Sequence, residues 1–174
     1  GFIYTTVSKG EVSEQTPIRR LNPTGMNVIR SNGFFQPQGD VDITEDNRAT
    51  YSGDSTFIDI AVQENGVYSA LDKNRGRIFT YDNSGYLLYI FGGKGNQQGT
   101  FKIPVAIENI EQKLLILDKG KNNIAVFIPT DYAQTILNAL KYQNNGLYKK
   151  ATASWREVLD YNTNFSMGYT GIGR

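Results

Sequence analysis

The chain repeats itself, and that repetition limits its fold more tightly than any other property. Asp72-Lys73-Asn74-Arg75-Gly76-Arg77-Ile78 recurs as Asp118-Lys119-Gly120-Lys121-Asn122-Asn123-Ile124, with both the Asp pair and the Ile pair 46 positions apart. Each copy follows an apolar run, Val67 to Leu71 or Leu114 to Leu117, and each precedes another, Ile78 to Tyr81 or Ile124 to Phe127. Upstream, Ile60-Ala61-Val62 aligns with Val105-Ala106-Ile107 at an offset of 45, as though one residue were inserted in the second copy's turn. A fixed period of this size marks a repeat architecture whose units bury their apolar faces against one another.

Between the copies, Asp82-Asn83-Ser84-Gly85 is a hairpin signal, because Asn and Gly tolerate positive φ. The next strand runs to Gly92-Gly93. One unit is therefore about four short strands, the size of a propeller blade. Its strands are apolar on both faces, as expected of sheets stacked face to face; a one-sided sheet would alternate more cleanly.

The order Asp-x-x-Asn-x-Arg-Ile, aromatic strand, Asp-x-x-Gly, strand, Phe-Gly-x-x-Gly, Phe-x-x-Pro resembles an NHL repeat. Here its elements are Asp72 to Ile78, Asp82 to Gly85, Phe91 to Gly95 and Phe101 to Pro104. The resemblance covers residues 57 to 104 well and 104 to 130 fairly. It departs at Gly76, where the family often has a polar residue, and at Asp59, where a blade-opening Pro is expected. Residues 1 to 20 are expected to add one or two strands, Val28 to Phe34 the outer hairpin of an earlier blade, and the polar Thr44 to Thr56 an insertion loop.

After Thr130 the period changes. Tyr132, Ile136, Ala139 and Leu140 have helical spacing, Asn144-Asn145-Gly146 breaks it, and Ala151, Trp155, Val158 and Leu159 resume it. Ala139, Tyr142, Gly146, Tyr148, Ala151, Trp155 and Val158-Leu159 fall at the offsets of a TPR repeat, which the segment resembles. Gly173 follows Ala139 by the 34-residue TPR period, so Tyr169-x-x-Ile172-Gly173 reads as the opening of a second repeat. Thr135 and Asn138 stand where larger apolar residues are usual.

The expected fold is thus mainly β: a partial β-propeller of NHL-type, four-stranded antiparallel blades with a C-terminal α-helical TPR hairpin. Residues 1–130 hold the blades (1–56 degenerate or incomplete, 57–103 a blade, 104–130 a partial blade), and 131–174 hold truncated TPR-like helices. Two to three blades do not close a ring, which takes about four to eight. The chain is therefore expected to be a fragment, or to complete its blades with another copy. It begins at Gly1 with no charged-then-apolar leader, which reads as a processing boundary.

Chemistry is narrowed mainly by two missing residue types. The chain has neither Cys nor His, which removes thiolate nucleophiles, disulfides, zinc sites of the usual N/S type and imidazole bases. Carboxylate, Lys, Tyr and oxygen-ligated metal chemistry remain. With 18 basic against 17 acidic residues there is no single-sign field to attract nucleic acid, and no apolar run is long enough to span a bilayer.

The candidate binding residues are Asp72, Asn74, Arg75, Arg77, Asp118, Lys121 and Asn122. They read either as a polar face gripping a ligand or, more economically, as turn chemistry in which the carboxylate accepts backbone N–H bonds and Arg braces a neighbouring blade. Gly92 to Gly95 lacks the spacing of a phosphate loop. Asp40, Asp42, Glu45 and Asp46 lack the order of a calcium loop and read as a solvated segment. Trp155 and Tyr132, Tyr142, Tyr148 and Tyr169 read as helical core rather than a sugar-stacking platform. No cofactor is implied.

The resemblance implies a non-catalytic binding or scaffold module at the bacterial envelope or outside the cell, with a cytoplasmic location left open. Its expected partners are a protein or peptide on the TPR and propeller faces, a glycan, or a second copy. The alternative it leaves open is a fragment of a metal-dependent, lactonase-like or lyase-like propeller enzyme.

Overall fold

The computed structural model describes residues 1–7, 17–29, 37, 39–40 and 54–173. The described chain is mainly β and divides into two compact units, Gly1–Phe127 and Ile128–Arg174. No described helix is long and apolar enough to cross a membrane.

Among its described residues the first unit contains three antiparallel sheets. Strands β1 (Ile3–Thr6) and β2 (Ile18–Leu21) form a pair; β3 (Phe57–Val62), β4 (Tyr68–Asp72), β5 (Arg77–Tyr81) and β6 (Leu87–Gly92) form a four-stranded meander; β7 (Pro104–Ile110), β8 (Lys113–Asp118) and β9 (Asn123–Phe127) form a three-stranded one. Strands β3 to β5 and β7 to β9 are copies of each other. Asp72 ends β4 opposite Phe57, and Asp118 ends β8 opposite Pro104. Both first strands carry a one-residue irregularity at the same place, Ile58 and Val105.

The register corrects the alignment drawn from sequence. Ile60 pairs with Ala70, and its counterpart is Ile107, which pairs with Ile116. The first strands therefore correspond at an offset of 47 and the second strands at 46. The β7–β8 turn is one residue shorter than the β3–β4 turn, not longer. The position matching Pro104 is Phe57, so Asp59 does not stand in place of a blade-opening Pro. Both apolar triplets fit a strand in either frame, and backbone pairing decides between them.

The middle sheet has no core of its own. One face gives Ala61, Leu71 and Ile78 to a cluster completed by Ile107, Leu114 and Ile116 of the third sheet and by Phe101 of the linker. The opposite face gives Phe57, Tyr68, Ala70, Phe79 and Tyr81 to a second cluster closed by Ile18 and Tyr4 of the two-stranded sheet. Side chains that alternate across β4 and β5 are thus buried on both sides, the pattern that made these strands read as apolar throughout.

The second unit comprises α1 (Asp131–Asn144), α2 (Tyr148–Tyr161) and α3 (Ser166–Ile172). The Thr130 hydroxyl caps α1 by accepting the Ala133 N–H, a bond that spares an orphan donor. Gly146, at φ 72°, lets the chain turn back after Asn144. Ala133, Ile136, Ala139 and Leu140 of α1 face Ala151, Trp155 and Val158 of α2 as one buried stripe. Thr135 is accommodated there because its hydroxyl donates to the Asp131 carbonyl at 2.8 Å.

Of the N-terminal expectations, β1 and β2 supply the two strands. Val28 and Ile29 belong to no strand, and the rest of the supposed hairpin and most of the Thr44–Thr56 loop lie outside the described residues.

Candidate functional site

All seven sequence-predicted residues lie at one end of the two larger sheets, in the β4–β5 and β8–β9 turns. The aspartates have no exposed surface. Asp72 accepts the N–H groups of Thr56 (2.9 Å), Asn74 (2.9 Å) and Arg75 (3.3 Å) and the Ser55 hydroxyl (3.1 Å). Asp118 accepts the N–H groups of Lys102 (2.8 Å), Ile103 (2.9 Å), Gly120 (2.9 Å) and Lys121 (3.3 Å). Each carboxylate thus ties its own turn to the segment entering the same sheet. Burial pushes the Asp118 carboxyl up, but the four N–H bonds outweigh it and hold its pKa below the usual carboxylate value.

The neighbouring residues are committed in the same way. Asn74 donates its side-chain N–H to the Asp54 carbonyl at 2.8 Å. Arg77 bonds Asp40 at 2.8 Å, with Arg75 at 3.7 Å from the same carboxylate. Asp40 is thus an arginine partner; Asp42, Glu45 and Asp46, read with it as a solvated segment, lie outside the described residues. Lys121 donates to the carbonyls of Gln97 and Thr100 in the linker between the sheets. Asn122 is exposed at φ 51° and occupies the position of Gly76, φ 63°. A left-handed backbone favours Gly and tolerates Asn, which accounts for the Gly at a position expected to be polar. A Cβ on Gly76 would also lie only 3.0 Å from the Gly93 carbonyl oxygen.

The seven residues therefore form two separate turn clamps, not one converging pocket. Around the clamps the surface is cationic. Lys73, Arg77, Lys102 and Lys119 are exposed. Lys94, half-buried, donates to the Lys102 carbonyl; desolvation lowers its pKa, with Asp118 and Asp72 opposing and Lys73 adding to the shift. That interaction places the β6–β7 loop beside both clamps. Among the described residues no group of three or more acidic side chains is arranged to hold a metal ion.

Sequence reasoning missed Asp59. Its carboxylate accepts the Ile107 N–H of the next sheet at 2.8 Å, and also its neighbour Ile60 N–H, so one side chain joins two sheets. An Asp in an otherwise apolar strand was the available signal. Asp82 was read as a turn residue, and it accepts the Ser84 and Tyr86 N–H groups while Gly85 takes φ 83°.

In the helical unit Trp155 is fully buried. Its indole N–H donates to Gln143 at 3.0 Å, and its ring lies against Phe165. Gly171 is where α3 crosses this ring, since a Cβ there would fall 2.2 Å from the indole nitrogen. Tyr148 and Tyr169 are exposed rather than core, because they sit on the outer sides of α2 and α3; this corrects their assignment to the core.

No protein-family model matches this chain, and no curated protein matches it.

Proposed function

We propose that this chain is a non-catalytic binding or scaffold module, built of NHL-type blades followed by TPR-type helices, that recognises a protein or glycan at the bacterial envelope or outside the cell. The carrying observation is the burial of Asp72 and Asp118. With no exposed surface and four donors held by each carboxylate, both are committed to their turns rather than presented to a metal or a substrate proton. What faces solvent at that end is a rim of cations and the Asn122 amide, groups that bind acceptors such as glycan carboxylates, hydroxyls or acidic peptide side chains. The helical hairpin adds a surface of the kind that TPR-type repeats use for peptides.

Glycan and peptide arrays probed with the whole chain, followed by calorimetry on the hits, test this reading. Binding weakened by Lys73→Glu and Lys119→Glu together is expected. Metal-dependent turnover of a lactone or polyuronate by the purified chain would overturn it.

A further inference from the structure

The cations at the clamp end fall into two groups. Arg75 and Arg77 share the Asp40 carboxylate, and Lys121 is spent on the Gln97 and Thr100 carbonyls. Lys73, Lys94, Lys102 and Lys119 have no ion-pair partner among the described residues. Lys94 bonds the Lys102 carbonyl, which leaves its ammonium group further N–H donors. The other three side chains are exposed.

These four form a continuous row. Lys73 and Lys119 each follow a clamp aspartate, and each donates its backbone N–H over 2.9 Å to the segment entering its own sheet, at Thr56 or Ile103. They are equivalent positions on successive sheets packed face to face, a stacking of about 10 Å. Lys94 and Lys102 fill the step between them. Desolvation is the first cause of the lowered Lys94 pKa and the Lys73 charge adds to it, so these two ammonium groups are neighbours. Lys102 abuts the other turn, since a Cβ on Gly120 would lie 2.6 Å from its own Cβ. Like charges gathered in this way repel one another, and an anion laid along the row relieves them.

Building on the glycan-binding reading above, we infer that the row binds an acidic polysaccharide, a chain of sugars bearing carboxylates on successive units, laid across the two sheets. Three features select that class. A row about 10 Å long outreaches a single sugar acid. Ammonium groups act as point charges without a fixed fork, which suits carboxylates recurring along a flexible chain. The flanking groups are amides: Asn96, Gln97 and Gln98 of the β6–β7 loop are exposed, as is Asn122, whose turn Lys121 ties to that loop. Amides donate and accept at once, as sugar hydroxyls require. Single-stranded nucleic acid would need rings on which its bases stack. Phe101, next to Lys102, is fully buried. The exposed ring among the first unit's described residues, Phe2, lies over Arg20 beside Tyr4, at the Tyr68 end of the middle sheet. An acidic peptide would draw on aromatic or arginine anchors, and the arginines here are already bound to Asp40.

Calorimetry of the whole chain with polygalacturonate is the test, beside the fully methyl-esterified polymer, which keeps the hydroxyls and loses the charge. The acid form is expected to bind at least about tenfold more tightly than the ester, and to weaken at least about tenfold between about 20 and about 300 mM salt. Lys73→Gln with Lys102→Gln, two exposed positions that the fold tolerates, is expected to weaken it about tenfold. Lys149→Gln with Arg156→Gln makes the same change in net charge on α2 and is expected to leave affinity unchanged. Polyglutamate and polyuridylate are expected to bind more weakly than the uronate. No binding of the uronate, equal binding of the ester, or equal binding of either other polyanion overturns the inference. So does an affinity untouched by Lys73→Gln with Lys102→Gln, or lowered as much by the α2 pair. Where neutral glycans or peptides bind and the uronate does not, the module reading stands and this inference alone falls. Shortening of the polymer by the chain overturns the non-catalytic reading and this inference with it.

Discussion

Replacing Asp118 by Asn removes a charge while keeping the shape of the side chain. Oδ1 accepts three N–H groups, from Ile103, Gly120 and Lys121, and Oδ2 accepts one from Lys102. An Asn amide oxygen retains the first three as neutral bonds, each weaker by about 0.5–1 kcal/mol. Its NH₂ group then faces the Lys102 N–H, donor against donor, and the orphaned N–H costs about 1–3 kcal/mol. The sum is roughly 2.5–6 kcal/mol, against a total stability of about 5–15 kcal/mol. The assay is amide hydrogen exchange in urea, which follows the strand amides of the first unit, with fluorescence of Trp155, the single Trp, following the helices. The strand amides should lose protection at lower urea; the fluorescence transition should move much less. Because the folded pKa lies below the unfolded one, the charge contributes fully above about pH 4 and its contribution disappears as pH falls through the folded value. The gap between wild type and variant should therefore be widest near neutrality and shrink in acid. Equal stability at neutral pH, or a gap undiminished at pH 2, would refute the reasoning.

Trp155→Ala should destabilise the helical unit by about 3–5 kcal/mol, read by thermal melting of the α-helical signal; an unchanged melt would show that the ring is not the unit's core. Gly171→Val should cost at least as much as its clash with the indole ring implies, and near-UV circular dichroism should lose the Trp155 signature. Burial pushes the Tyr89 hydroxyl up to about 12, despite its bond to Thr80, and raises Tyr68 and Tyr81 as well. Stability from these groups is complete below about pH 10 and lost as pH rises further, so ultraviolet titration should find late-ionising tyrosines that ionise with unfolding. Zinc-loaded, then desalted chain should retain sub-stoichiometric metal by elemental analysis, since the N and S ligands are missing.

The sheets and helices were legible because repetition reveals itself without knowledge of any contact. Asp72 and Asp118 sit at strand ends, and Asn144 to Gly146 interrupts a helical stripe; local chemistry dictates both. The register of β3 and β7 was not legible, because Ile60-Ala61-Val62 and Val105-Ala106-Ile107 are equally apolar and only the turn length distinguishes the frames. The candidate residues all lie at one sheet end, and which of them face solvent depends on donors distant in sequence, such as Thr56 and Ile103. Asp59 was missed for the same reason, since its partner Ile107 lies 48 residues away. Tyr148 and Tyr169 kept helical spacing but fell on the wrong side of their helices.

A middle sheet whose two faces are completed by different neighbours has consequences for how such a chain is made and lost. Its stability is a nearest-neighbour sum, in which each sheet contributes little until the adjoining one arrives. Cutting between residues 92 and 104 would strip Leu71 and Ile78 of their cover, so truncation there should leave the sheets on both sides of the cut unfolded, while the helical unit stays folded. The two clamps work the other way: each bonds only within its own sheet and entering segment, so it can close before the next repeat has been synthesised. Folding in order along the chain then needs no contact to wait for the last residue.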